Sequence, residues 1–240
     1  MGTLYLIATP IGNMEDITQR ALRILSEVEA VACEDTRQTR KIFVRHELEK
    51  PPTFFSYQEH NEERAGKGIL ALLENEKNVA VCSDGGYPGI SDPGYRIVSE
   101  AIAAGHRVEV VPGASAVPVA LIASGLSTSS YTFKGFPPRK SGQRKRFLEI
   151  DRDLPHTLVL FESPYRVAKL LADAHEVLGN RLAAVCIEMT KKFERVHRGP
   201  LSELAELLCD QKVKGEVTVV IAGNNPKFLS ENPDPSTPES

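Results

Sequence analysis

Short runs of β-branched and small apolar residues alternate along this chain with stretches whose apolar positions recur every three to four residues. Residues 4–9, 30–33, 53–56, 79–83, 108–111, 131–135, 157–161, 183–188 and 217–222 read as strands. The clearest helical stretch is 15–28, where Ile17, Ala21, Ile24, Leu25 and Val28 fall on one face. Stretches 39–46, 61–73, 95–104, 115–123, 165–178 and 201–209 follow the same period, and a further helix is expected around 144–150. Strands alternating with helices predict an α/β fold, with mainly parallel sheets because parallel neighbours need a long crossover.

The pattern breaks near 112–118, where Val-Val-Pro-Gly-Ala-Ser closes the fifth strand and the charge balance changes sign. Residues 1–116 carry 12 Lys/Arg against 17 Asp/Glu, whereas 117–225 carry 16 against 12. The expected organisation is an N-terminal α/β domain over 1–113, a C-terminal α/β domain over 114–225, and a disordered tail over 226–240, which has four prolines and little to bury. A chain of 240 residues can give each domain its own core. With 41% hydrophobic and 25% charged residues it is neither disordered nor fibrous. No apolar run reaches the roughly 18–20 residues of a membrane span, and the first residues lack the basic region of a signal peptide. Cys33, Cys82, Cys186 and Cys209 lie far apart without a C-x-x-C pair, as expected of reduced residues in a cytoplasmic protein. No cluster of His, Cys, Asp or Glu has ligand spacing, so no metal is expected.

In α/β sheets the ligand crevice lies beyond the carboxyl ends of the strands, so the segments that follow the strands are where chemistry is sought. The densest is 83–94, SDGGYPGISDPG, with four glycines and two prolines after a buried-looking run. Glycine admits positive φ and lets a ligand lie on the backbone, while proline fixes the path. A tight surface turn has the same composition, and spacing alone does not separate the two. The loop is neither G-x-G-x-x-G nor a P-loop, and the chain has no G-x-S-x-G or H-E-x-x-H.

A second signal is 134–146, KGFPPRKSGQRKR, six basic residues without an acid. Arg139, Lys140, Arg144, Lys145 and Arg146 are candidates for phosphate contacts, the alternative being a solvated loop leading into a helix. Phe133, Phe136 and Phe147 beside them suit either base stacking or the core. Lys191, Lys192, Arg195 and Arg198 form another basic cluster.

The blocks ATPIGNMEDIT, ACEDTRQT, SDGGYPGISDPG, VVPGASA, GFPPRKSGQRK and FESPYR occur in an order and spacing similar to the ribosomal RNA small-subunit methyltransferase I family of the tetrapyrrole methylase superfamily. The resemblance runs from Leu4 to about Gly223. It implies two α/β domains with S-adenosylmethionine in the cleft between them, a homodimer, and 2′-O-methylation of a cytidine ribose in small-subunit (16S) ribosomal RNA. By position, Pro10, Asp84, Gly85, Gly86, Tyr87, Ile90, Ser115, Ala116, Phe161, Glu162, Met189 and Thr190 would line the cofactor. The family pattern reads roughly S-D-A-G-T-P-G-I-S-D-P-G, so Gly85 and Tyr87 replace its Ala and Thr. Asp84, Glu162, Lys191 and Arg198 are the catalytic candidates by location, each with an alternative use as loop cap, salt bridge or phosphate contact. Two other readings compete: a methyltransferase acting on a small tetrapyrrole-type molecule, which has no use for the basic run, and an inactive RNA-binding module of the same fold.

Overall fold

The computed structural model of the chain describes residues 2–48 and 53–225, and the expected tail lies outside them. The chain divides into two units, Met1–Ser115 and the residues from Ala116 onward.

In the first unit β1 (Thr3–Ile7), β2 (Ala30–Cys33), β3 (Thr53–Ser56), β4 (Val79–Cys82) and β5 (Arg107–Val111) form an all-parallel sheet in the order β3-β2-β4-β1-β5. Alternate side chains of a strand face opposite sides of the sheet. Val31, Cys33, Ala80 and Cys82 accordingly join one core, with Ala21, Ile24 and Leu25 of α1 (Gln19–Glu27) and Ile42 and Phe43 of α2 (Thr36–Arg45). Ala30, Ala32, Val79 and Val81 join the other, with Ile69 and Leu73 of α3 (Glu62–Glu74) and Ile97 and Ala101 of α4 (Tyr95–Ala103). A sheet apolar on both faces needs helices on both, which is why β2 and β4 read as continuous apolar runs.

The single helix expected over 15–28 begins later. Thr18 caps α1 by accepting the Ala21 N–H at 3.1 Å, and a separate 3-10 turn, Met14–Asp16, precedes it. The cap satisfies a donor that the longer helix would have satisfied internally.

In the second unit α5 (Ala116–Ser124) precedes β6 (Tyr131–Phe133), α6 (Ser141–Glu149), β7 (Thr157–Glu162), α7 (Val167–Leu178), β8 (Leu182–Ile187), β9 (Arg195–Pro200), α8 (Leu201–Cys209) and β10 (Val217–Ile221). The sheet order is β6-β7-β10-β8-β9. Here the pairing departs from the parallel expectation. Strands β6, β7 and β8 run one way, but β10 is antiparallel to β7 and β8, and β9 is antiparallel to β8. The segment joining β8 to β9 is too short for a crossover. Strand β9 (RVHRGP) was not anticipated, because an edge strand rich in Arg and His lacks the apolar run that marks a central one. Helices α6, α7 and α8 cover the face of Leu158, Leu160, Val185 and Val219, while α5 packs on β8 and β10.

Candidate functional site

Because all five strands of the first sheet run the same way, the segments after them meet at one edge. There 83–87 runs as an extended arm against the segment that follows β1. The Thr9 N–H donates to the Gly86 carbonyl at 2.9 Å and the Gly86 N–H to the Thr9 carbonyl at 3.0 Å. Two hydroxyls brace the pair: Thr9 donates to the Ser83 carbonyl and Ser83 to the Gly86 carbonyl, each at 3.1 Å. Gly86 has φ +87°, and a Cβ there would lie 3.6 Å from Ile11 Cγ2 and 3.9 Å from the Ala114 carbonyl oxygen. At Gly85 an added Cβ would likewise make ordinary contact, 3.5 Å from the Pro10 carbonyl oxygen, but without a positive φ. The rest of the loop closes on itself, with the Gly89 N–H bonded to the Pro93 carbonyl at 3.1 Å and the half-exposed Ile90 at its tip. The Tyr87 hydroxyl accepts the Gly113 N–H at 3.0 Å, which ties the arm to the turn after β5 that ends at the half-buried Ser115. Pro10 is buried beneath this surface.

Three carboxylates gather at the same edge. Asp84 accepts the Asp35 N–H at 3.0 Å. Asp35 caps α2 by accepting the Arg37 N–H at 2.8 Å, and hydrogen bonds from the Arg37 side chain pull its carboxyl down to about 2. Burial, then the neighbouring Asp84 charge, pushes the Glu34 carboxyl up. Glu34 was not among the sequence candidates; only the parallel pairing of β2 with β4 brings it beside Asp84. A cavity of about 30 Å³ lies between Thr9, Pro10, Thr39, Ser83 and Asp84, a space on the scale of one water. A larger hollow of about 360 Å³, lined by Phe55, Asn61, Arg64 and Leu72, touches none of these segments.

In the second unit the segments after β6, β7 and β8 share one edge, and charge pairs dominate there. Glu162 is buried and accepts the Ser163 N–H and Arg166 Nε, both at 2.7 Å. The Phe161 ring lies between Phe133 and Phe136, at 4.8 and 5.6 Å between centroids. Ala116 opens α5 and is half-buried, and Met189 is buried. Thr190 has φ +64°, and its N–H donates to Glu194 at 2.6 Å. Lys191 donates to Glu188 at 2.8 Å and to Glu216 at 2.9 Å. Burial lowers the Lys191 pKa, but these two bonds outweigh it and leave the ammonium above the usual lysine range. Burial likewise raises Glu188, and its bonds from Lys191 and the Glu216 N–H bring it below the ordinary carboxylate value. Arg198 donates through two nitrogens to the Ala123 carbonyl near the end of α5. Lys191 is therefore held protonated, and Arg198 is engaged at a helix end.

The basic run separates into two groups. Arg144, a sequence candidate for phosphate contact, is 3% exposed; its Nε donates to Asp173 at 2.7 Å, and its Nη1 to the Arg139 carbonyl at 3.0 Å. It faces inward because the helical period of α6 puts it beside Leu148 and against α7, so it is an interior ion pair and not a surface arm. Lys145 pairs with Glu176 of α7. Arg139, Lys140 and Arg146 stay exposed. Among the described residues no group of three or more His, Cys, Asp or Glu is arranged to hold a metal ion, and no helix is long and apolar enough to cross a membrane.

The family profile of tetrapyrrole (corrin/porphyrin) methylases matches residues 3–205. The ribosomal RNA small subunit methyltransferase I of Halalkalibacterium halodurans is 45% identical over 230 residues, covering 96% of this chain and 79% of that protein. The chain belongs to the ribosomal RNA small-subunit methyltransferase I family. The family member from Thermotoga maritima is 41% identical over 93% of this chain and 99% of its own. Solved structures share the fold at lower identity. Uroporphyrin-III C-methyltransferase from Thermus thermophilus, complexed with S-adenosyl homocysteine, has TM-score 0.63 at 22% identity, covering 92% of this chain and 97% of that one. A cobalt precorrin-4 methyltransferase has TM-score 0.68 at 16% identity, over 92% and 94%. The methylase fold and the two α/β units agree with the sequence expectation.

Proposed function

We propose that this protein transfers a methyl group from S-adenosylmethionine to the 2′ oxygen of a cytidine ribose in small-subunit ribosomal RNA, and that it acts as a homodimer. The observation that carries the donor half is the main-chain cradle at Gly86. At φ +87° Gly86 disfavours any side chain, and Ile11 Cγ2 and the Ala114 carbonyl stand at ordinary contact distance from where a Cβ would be, so the loop offers a ligand backbone beside an apolar wall. That chemistry suits a nucleoside and amino-acid ligand, and the residues present fit the cofactor. When bound, S-adenosylmethionine supplies an electrophilic methyl on a sulfonium that departs as a neutral thioether.

The rest falls to the chain. The braced Thr9–Gly86 pair and the Tyr87–Gly113 bond hold the cradle rigid, and a pre-set geometry contributes to rate by aligning the reacting atoms. Lys191 stays protonated between two carboxylates and Arg198 is taken up by the Ala123 carbonyl, so neither is set to take the ribose proton. A carboxylate or water accepts it instead; Glu34, its carboxyl pushed up by burial, and Asp84 stand at the edge that carries the Gly86 arm. RNA is favoured over a tetrapyrrole acceptor by the exposed cations Arg139, Lys140 and Arg146 within a run that has no acid. The relatives named for ribosomal RNA support the same choice.

The decisive experiment incubates the protein with radiolabelled donor and small-subunit ribosomal RNA, free or in assembled subunits, and maps ribose methylation. Label in a single cytidine ribose is expected. Label in a base, or only in a tetrapyrrole acceptor, overturns the reading, and light scattering that finds a fully active monomer overturns the dimer.

A further inference from the structure

Phe136 is 57% exposed, in the middle of the basic run. A phenylalanine in a surface loop is usually free to fold its ring inward; this one is held out. Gly135, at φ +60°, turns the chain after β6, and its carbonyl accepts the Phe161 N–H at 2.9 Å. On the other side two prolines stiffen 137–138, and Arg166 Nη2 reaches the Pro137 carbonyl at 3.4 Å while the same nitrogen and Nε donate to the buried Glu162. The backbone is thus fixed on both flanks of Phe136. One side of the ring rests on Phe161, 5.6 Å away and tilted by 58°. Arg139 and Lys140 follow within four residues, both exposed, and 134–146 contains no acid.

A rigid, outward aromatic face beside exposed cations is the arrangement that single-stranded nucleic acid recognises, with phosphates on the cations and a base on the ring. A duplex offers no free base face at such a ring, and a hydrophobic protein partner gains nothing from the acid-free run. We infer that Phe136 is a stacking platform for an unpaired base of the RNA substrate. The inference rests on the RNA reading above. The other ring candidates lack this geometry: Phe133 packs edge-on against Phe161, and Phe147 lies beneath the Lys134 ammonium, 3.9 Å from its centroid.

The test uses the full chain and two probes, a short single-stranded pyrimidine RNA carrying one 2-aminopurine and the same strand in a duplex. The wild type is expected to prefer the single strand and to change the 2-aminopurine fluorescence. Phe136→Ala and Phe136→Leu should weaken single-strand binding about 5- to 150-fold and abolish the fluorescence change. Phe136→Tyr should keep both. Duplex binding, donor affinity by calorimetry and melting temperature should stay with the wild type in all three. Wild-type affinity and fluorescence in Phe136→Ala, or a Leu variant as good as Tyr, overturns the stacking role while leaving the RNA reading intact. A wild type that binds neither probe nor small-subunit ribosomal RNA brings down the RNA reading itself.

Discussion

The carboxyl edges of the two sheets are built from different materials. In the first unit the loop over 83–94 is shaped by main-chain pairing and glycine conformations, with Thr9, Ser83 and Tyr87 hydroxyls as braces. In the second, Glu162–Arg166, Lys191 with Glu188 and Glu216, and Arg144–Asp173 hold the loops through charge. A backbone-built surface keeps its form whatever the ionic strength and presents peptide groups to a small ligand. A charge-built one spends most of its cations internally and leaves only a few to meet a polyanion. The count of basic residues in 134–146 therefore overstates the charge open to a polyanion, since Arg144 and Lys145 are already matched by α7.

The sharpest way to break this contrast is Arg144→Ala. It leaves the Asp173 carboxylate, 9% exposed, without its main partner, and breaking one half of a buried pair costs roughly 3–5 kcal/mol. Urea unfolding should show the loss, and the double change Arg144→Met with Asp173→Leu should recover most of it, because a well-packed apolar pair replaces a buried ion pair at little cost. An unchanged midpoint in Arg144→Ala, combined with a flatter salt dependence of RNA binding, would return Arg144 to the phosphate set.

The same operation on the backbone-built edge is Gly86→Val. A branched residue at φ +87° is strained by about 1–2 kcal/mol and also fills the cradle. Donor affinity by calorimetry should fall at least tenfold in a protein that still melts cooperatively. Gly85→Ala, whose Cβ has room, serves as the control and should bind donor like the wild type. Equal donor affinity in Gly86→Val and Gly85→Ala would move the donor away from this arm.

The two edges also differed in how legible they were in the sequence. Strands β2 and β3 and helix α8 coincide with the expected bounds, because each is a short apolar run or period between clear turn residues. The loop 83–94 was found by composition, since glycine and proline carry backbone geometry directly in residue identity. What composition missed depends on pairing across the fold. Glu34 gains its neighbour Asp84 only when β2 lies beside β4, and Arg144 turns inward only when α7 supplies Asp173. Strand β9 was hidden for the opposite reason: its Arg195 and Arg198 read as part of a basic cluster, although a sheet edge tolerates them.

A smaller effect is expected from replacing the exposed cations together. Arg139→Gln, Lys140→Gln and Arg146→Gln should lower the slope of log affinity against log salt by roughly 0.7–0.9 for each phosphate no longer neutralised, with donor affinity unmoved. Stability should hardly change, because none of the three is buried. A slope equal to the wild type's would make this face solvated rather than RNA-binding.

The smallest change tests how far the first edge depends on a side chain at all. Tyr87 stands where the related pattern has Thr, and its hydroxyl accepts the Gly113 N–H at 3.0 Å. Gly113 itself is tightly packed, since an added Cβ would lie 3.0 Å from the Ala8 Cβ and 3.1 Å from the Ala8 carbonyl oxygen. The turn after β5 therefore cannot move far toward the arm, and Tyr87 spans the gap instead. Removing the hydroxyl in Tyr87→Phe keeps the ring but leaves that N–H without its acceptor, a loss of about 1 kcal/mol. If the bond sets the cradle, donor affinity should weaken by about fivefold, with a drop of a few degrees in melting temperature. Loss of stability with unchanged donor affinity would show that the Thr9–Gly86 pairing alone fixes the surface, and that this edge is backbone-built through and through.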